Sequence, residues 1–278
     1  MFCDLHTHSV FSDGTYTPTE LIREADERGL SAIALTDHNT ARGLPEFLAA
    51  AKAAAVQAVA GVEFSVDWGE KNTELHILGL FLTPDAFLRV EEWVQTLRRN
   101  KEESNRILCG RLAAAGYEID LDEVKKNSPA EFVNRALIGE VLAKKGYVPS
   151  IAAAFETLLK KGGEFYVEPK RLPALETVAF IKELGGAAVL AHPFLNLDEE
   201  GLRGFLPRAK EAGLDGMETM YSTYTEKESA LSAAIAKEFS LKQSGGSDFH
   251  GTRKPNIFLG VGKGNLKIPT NFYEELKG

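Results

Sequence analysis

The chain is short of cysteine: two thiols, Cys3 and Cys109, in 278 residues. They stand in unrelated contexts and form no CxxC pair, which argues against a disulfide framework or a thiolate zinc site. Positive charge is also in deficit. Thirty-two Lys and Arg against 40 Asp and Glu leave a net charge of −8. That balance argues against a dedicated nucleic-acid or membrane-surface binder, although a local cationic pocket can still hold a small anion. No apolar run approaches the length of a membrane span, and the first segment, with Asp4 and His6, does not read as a signal peptide. A cytoplasmic protein is the expectation. There is no internal repeat, no low-complexity segment and no nucleophilic Ser or Cys motif.

What is present is alternation. Phe2 to Leu5 reads as a strand, and "TPTELIREADERG" as a helix with Thr17 as N-cap, Pro18 in its first turn and Glu20 closing a capping box. "SAIALTDH" is a strand, "LPEFLAAAKAA" a helix, and "VQAVAGVEFSV" and "ELHILGLFL" are strands. The rhythm returns with helix "ALETVAFIKELGG", strand "AAVLAHP", helix "EEGLRGFLPRAKEAG", strand "DGMETMY", helix "EKESALSAAIAKEF" and strand "LKQSGGSD". Such alternation predicts an α/β fold built on a parallel sheet or a β/α barrel. Between about Asp85 and Val167 the reading is helical throughout, including "SIAAAFETLLKKGG". The division expected is a discontinuous barrel of residues 1–97 and 171–278, with a helical insertion at 98–170 that covers its mouth.

All six histidines end a strand-like run or sit inside one. In a β/α barrel the strand ends form the active-site face, so His6, His8, His38, His76, His192 and His250 would converge there. His6 and His8, two residues apart in a strand, point the same way and can reach one metal ion. Glu63 and Asp248, each at the end of its own strand, are the natural carboxylate partners. Plainer readings exist for single residues. A lone histidine is often a structural hydrogen-bonding group, Glu63 could cap a helix, and Asp13 in "SDGT" is an ordinary turn residue. Asp37 could orient the His38 ring. The six together point to metal.

"DLHTHSVFSDG", "LTDHNT", "GVEFS", "HILG", "VLAHP" and "GSDFH" resemble the ordered motifs of the PHP (polymerase and histidinol phosphatase) family. The resemblance implies a distorted seven-stranded β/α barrel with three divalent metal ions. It implies His6, His8, Glu63 and Asp248 at the first metal, Glu63, His76 and His192 at the second, and Asp13, His38 and His250 at the third. "FVNRALIGEVLAKKGYV" looks like the Gly-Arg-Pro-His segment of stand-alone members that remove the 3′-phosphate of nucleoside 3′,5′-bisphosphates, some of which trim short RNA from its 5′ end. Arg135 falls on that arginine, whereas Asn134, Ala136 and Leu137 depart from the pattern.

A small phosphorylated substrate is therefore expected, with no membrane or stable protein partner. The donor set suits Mn, Fe or Zn. A hydroxide shared by two metals would attack phosphorus, with Glu63, His192 and Asp248 as the catalytic ligands. Arg135 is the candidate phosphate clamp, with a solvated helix arginine as the plain alternative. Tyr221 and Ser222, after "DGMETM", are expected to line the pocket. Lys160 and Lys161 read as cations at a helix end. Rival activities are 5′-3′ exoribonuclease, histidinol-phosphate phosphatase and a hydrolase acting on C–N bonds, and a non-catalytic PHP-like module is the rival outside enzymes.

Overall fold

The computed structural model describes residues 2–69, 73–126, 133, 135–264 and 266–278. Its contacts divide the chain into two compact units, Met1–Trp93 with Leu172–Gly278, and Val94–Arg171.

In the first unit the strands are β1 (Cys3–Asp4), β2 (Ala32–Leu35), β3 (Gln57–Ala60), β4 (Val62–Trp68), β5 (Thr73–Leu80), β6 (Leu172–Pro173), β7 (Ala187–Leu190), β8 (Gly216–Tyr221) and β9 (Lys242–Gly246). They form one sheet of order β1-β2-β3 and another of order β6-β4-β5-β7-β8-β9. Two seams join these sheets. Leu5 N–H donates to the Gly245 carbonyl (3.1 Å), Asp248 N–H to that of His6 (2.9 Å), and Thr7 pairs with Phe249 in parallel. At the other seam His38 pairs with Glu63, and Asn39 N–H donates to the Glu63 carbonyl at 2.9 Å. The result is a closed ring, β1-β2-β3/β4-β5-β7-β8-β9, of seven strands when β3 and β4 are counted as one run bent at Gly61. A side chain at Gly61 would meet the Gly79 carbonyl at 2.9 Å, so the bend needs glycine.

One strand departs from the parallel expectation. β5 runs antiparallel to both β4 and β7. It follows β4 through a short connection, which a parallel crossover could not span. Its beginning, not its end, therefore lies beside the ends of its neighbours. That is why His76 sits inside a strand rather than after one.

The surrounding helices form where the sequence supplies caps and an apolar face. In α1 (Pro18–Glu27), Thr17 and Glu20 complete a capping box, and Leu21, Ile22 and Ala25 are buried. The others are α2 (Leu44–Ala51), α7 (Ala174–Glu183), α8 (Glu199–Glu211), α9 (Glu226–Glu238) and α10 (Thr270–Lys277). Within the ring, a core cluster includes Leu5, Ala34, Val59, Leu80, Val189 and Ile268.

α3 (Phe87–Ala114) carries the chain into the second unit, which also holds α4 (Leu121–Lys126), α5 (Arg135–Lys144) and α6 (Ile151–Glu156). Its own core joins Leu108, Leu112, Ile138, Leu142 and Leu159. No strand occurs among its described residues. α6 is shorter than the sequence suggests. Thr157 leaves helical geometry (φ −121°, ψ −96°) while its hydroxyl donates to the Ala153 carbonyl at 2.7 Å. Lys160 and Lys161 thus lie beyond the helix, not in its last turn.

Candidate metal centre

Strand ends deliver most of the side chains, but Glu63 is not at the end of its strand as expected: it is the second residue of β4, just after the bend at Gly61. Between His6 and His8, Thr7 donates its hydroxyl to the Ala34 carbonyl at 2.6 Å, so the two histidines turn to the opposite face from it. His6 and His8 are fully buried. His192 and Asp248 have left-handed backbones (φ 26° and 55°), as does Asn39 beside His38 (φ 52°). Such conformations are uncommon outside glycine and gather at functional sites.

Glu63 lies at the centre. Its Oε2 is 3.2 Å from His6 Nε2, 3.3 Å from His8 Nε2 and 3.0 Å from His38 Nδ1. Its Oε1 is 2.7 Å from His76 Nδ1 and 3.0 Å from His192 Nε2. Asp248 Oδ1 faces His8 Nε2 (3.2 Å), His250 Nδ1 (3.3 Å) and His6 Nε2 (3.7 Å). Asp13 faces His250 Nε2 at 3.2 Å and both His8 and His38 at 3.8 Å. Four overlapping donor groups result: His8, Asp13, His38 and His250; His6, His8 and Asp248; His6, Glu63 and His192; His38, Glu63 and His76.

Of these contacts His192 Nε2 to Glu63 Oε1 is a hydrogen bond, yet several donor atoms in the cluster remain unpaired. His8 Nδ1, His38 Nδ1, His76 Nδ1, His192 Nδ1 and Glu63 Oε2 are buried atoms with no hydrogen-bond partner. Unsatisfied buried polar atoms are costly, and those of His8, His38, His76 and Glu63, gathered in one place, call for a shared partner. A cation meets that need. The donors are imidazole and carboxylate with no thiolate, the set that suits Mn, Fe and Zn.

The electrostatics agree. Burial opposes charge on every group here. Even so, the neighbouring imidazoles hold the carboxyls of Glu63, Asp13 and Asp248 well below the usual range. In turn the carboxylates push His8 and His76 up to about 9, while burial keeps His38 down at about 4. The carboxylates thus stay ionised and ready for a positive partner.

Four residues refine the sequence reading. Asp37 does not touch the His38 ring. It accepts from Ser9 N–H (2.8 Å), Ser9 Oγ (2.6 Å) and Ser12 Oγ (2.7 Å), so it shapes the loop that carries Asp13. Tyr221 reaches the cluster by donating to Asp248 Oδ2 at 2.6 Å. Ser222 is buried, and its hydroxyl is occupied by the Ser247 carbonyl at 2.6 Å, which leaves it no donor for a pocket. Arg135, in the second unit, lies over the rings of Tyr166 (4.9 Å) and Phe155 (5.5 Å) and donates to the Leu159 carbonyl at 3.3 Å. Leu137 is buried in that unit's core, and Asn134 lies outside the described residues.

Two residues escaped the sequence reading. Lys254 Nζ is 2.6 Å from Asp248 Oδ2, and Glu218 Oε1 is 3.1 Å from His6 Nδ1. Glu218 and Tyr221 are three apart in β8, an odd spacing that would put them on opposite faces. A bulge between Glu218 and Met220 in the pairing with β9 restores both to the cluster.

Comparison with known proteins adds the following. The family model described as PHP domain matches residues 4–168. The phosphoribosyl 1,2-cyclic phosphate 1,2-diphosphodiesterase of Eggerthella lenta is 34% identical, over 92% of this chain and 98% of its own. The 3′,5′-nucleoside bisphosphate phosphatase of Chromobacterium violaceum is 32% identical, over 89% of this chain and 86% of its own. Among solved structures, an amidohydrolase from Chromobacterium violaceum with bound sulfate and no metal superposes with a TM-score of 0.87 at 30% identity, covering 100% of this chain and 96% of that one. No described helix is long and apolar enough to cross a membrane.

Proposed function

The chain belongs to the PHP family of metal-dependent phosphoesterases, and from that premise we propose that it hydrolyses the 3′-phosphate of nucleoside 3′,5′-bisphosphates. The observation that carries the hydrolytic reading is Glu63, whose two oxygens each face a separate set of imidazoles. A carboxylate so placed can bridge two cations.

His6, His8, Glu63 and Asp248 would hold one ion, Glu63, His76 and His192 a second, and Asp13, His38 and His250 a third. Divalent ions held there lower the pKa of bound water towards neutrality and offset charge on phosphoryl oxygens. The protein's part is placement. His6 and His8 form a dry floor, while Asp13 and His38 keep about a quarter of their side chains exposed (24% and 22%) and mark the open side. A phosphate ester arriving there meets the centre from solvent. Lys254, half-exposed beside Asp248, puts a positive charge at the same opening.

A second reading has its own support. The near full-length likeness to the Eggerthella lenta enzyme favours a five-membered cyclic phosphodiester as substrate. One screen separates the readings by product: inorganic phosphate from a nucleoside 3′,5′-bisphosphate, the ring-opened phosphomonoester from a ribose 1,2-cyclic phosphate, and nucleoside 5′-monophosphates from short 5′-phosphorylated RNA. Metal content is measured on the same sample. The bisphosphate is expected to turn over fastest, and activity is expected to vanish on chelation and return with Mn, Fe or Zn. Full activity in metal-free protein contradicts the metal reading, and preference for the cyclic ester selects the second substrate.

A further inference from the structure

Glu218 is fully buried in β8, and its two oxygens hold different groups. Oε2 accepts the backbone N–H of His192 at 2.7 Å, and Oε1 lies 3.1 Å from His6 Nδ1. The backbone amide can only donate, which settles the role of Oε2. A carboxylate oxygen is an acceptor, so the ring nitrogen facing Oε1 carries the proton. His6 then presents a bare Nε2 to Glu63 Oε2, His8 Nε2 and Asp248 Oδ1, the atoms that surround it. The other end of the same carboxylate grips the amide at which the backbone takes its left-handed turn (φ 26°) and aims the His192 ring at Glu63.

We propose that Glu218 is a positioning residue. It locks His6 as the Nδ1–H tautomer and, through its second oxygen, sets His192, so that one side chain registers two donor positions against each other. The proposal rests on His6 and His192 holding metal as argued above. The bulge in β8 has its purpose here. Without the extra residue, β8 could not send both Glu218 and Tyr221 into the ring.

Glu218→Gln is the sharp test, because it keeps the shape and changes one group. The amide oxygen must still face His192 N–H, so the NH2 faces His6 Nδ1 and donates to it. That arrangement drives the His6 proton to Nε2 and blocks the lone pair. Zinc, which is diamagnetic, serves as the probe. In zinc-loaded wild-type protein, one-bond proton–nitrogen NMR should show a proton on His6 Nδ1 and none on Nε2, with His6→Gln assigning the signal. In Glu218→Gln the Nδ1 proton should be lost, and zinc affinity by chelator competition should fall about ten- to hundred-fold, the usual effect of losing such a support. Circular dichroism should be unchanged. A wild-type His6 protonated on Nε2 overturns the tautomer lock, whether or not the variant folds. So does a folded variant that keeps both the Nδ1 proton and wild-type zinc affinity. A wild-type chain that takes up no zinc overturns the metal reading instead.

Discussion

Tyr221 donates its hydroxyl to Asp248 Oδ2 across 2.6 Å, inside a buried wall of the ring. Lys254 reaches the same oxygen at 2.6 Å, which leaves Oδ1 free to face the histidines. Burial, and then the charge of Asp248, push the Tyr221 phenol far above its ordinary range, so it remains a donor at any working pH.

Tyr221→Phe removes one of two supports from a buried carboxylate. A hydrogen bond to a charged group contributes about 1.5–3 kcal/mol, and the variant should lose stability in that range. Metal affinity should fall with it, because Asp248 is then free to swing about Lys254. Denaturant unfolding and metal titration measure both effects. Unchanged values in both would mean that Lys254 alone holds the carboxylate.

Gly246 ends β9 against β1. A Cβ at this position would collide with His6 Cβ and lie 2.8 Å from His6 N. Backbone must move to admit even a methyl group. Gly246→Ala should cost at least about 1–3 kcal/mol by overpacking and displace His6 from the cluster. A lowered melting temperature together with reduced metal content is the expected pair of results. A variant with wild-type stability would show that the β1–β9 seam is looser than its hydrogen bonds suggest.

Arg135→Ala separates two roles for one arginine. Stacking on Tyr166 and Phe155 accounts for it structurally, and loss of such cation–π contacts should destabilise the second unit by about 1–2 kcal/mol. A phosphate clamp would act differently. It would depress turnover of a bisphosphate and leave the 3′-monophosphate reaction unchanged. We expect the stability loss, with both substrates slowed alike. Steady-state kinetics on the two substrates, beside a thermal melt, decides the matter.

The two thiols supply a test by pH. Burial pushes Cys3 from 9.0 up to about 12 and Cys109 up to about 11. Between 9 and those values the unfolded chain releases thiol protons that the folded chain keeps. The folded state binds more protons in that window, so stability falls as pH rises through it and is unaffected by the thiols below it. Native protein should resist alkylation at pH 8 and react fully once denatured, as mass spectrometry would show. Rapid labelling of native protein would contradict the burial of both sites.

The strand–helix alternation and the convergence of the histidines were readable because their signals are local, whereas Asp13 joined them only through the family resemblance. A two-residue spacing marks His6 and His8, and apolar runs end at His38 and His192. What could not be read depends on pairing between distant segments. The reversal of β5 is the exception: its signal is the connection after β4, too short for a parallel crossover, and not anything within "ELHILGL". Glu218 looks like any carboxylate in "GMETMY", on the wrong face by simple alternation. Only the register with β9 turns it inward. Asp37 sits beside His38 in sequence, yet the fold sends it to Ser9 and Ser12.

The β1–β9 seam also imposes an order on assembly. Residues near 5 pair with residues near 245, so this seam must wait until that late segment has been made. The sheet β1-β2-β3 can pair once residue 60 is made, long before Asp248 and His250 exist. Until then His6 and His8 stand on an open edge, offering nitrogen donors without their late carboxylate partner. Contacts of such long range slow folding, and a nascent chain at this stage exposes both an unpaired strand and a half-built chelate to whatever ion is abundant.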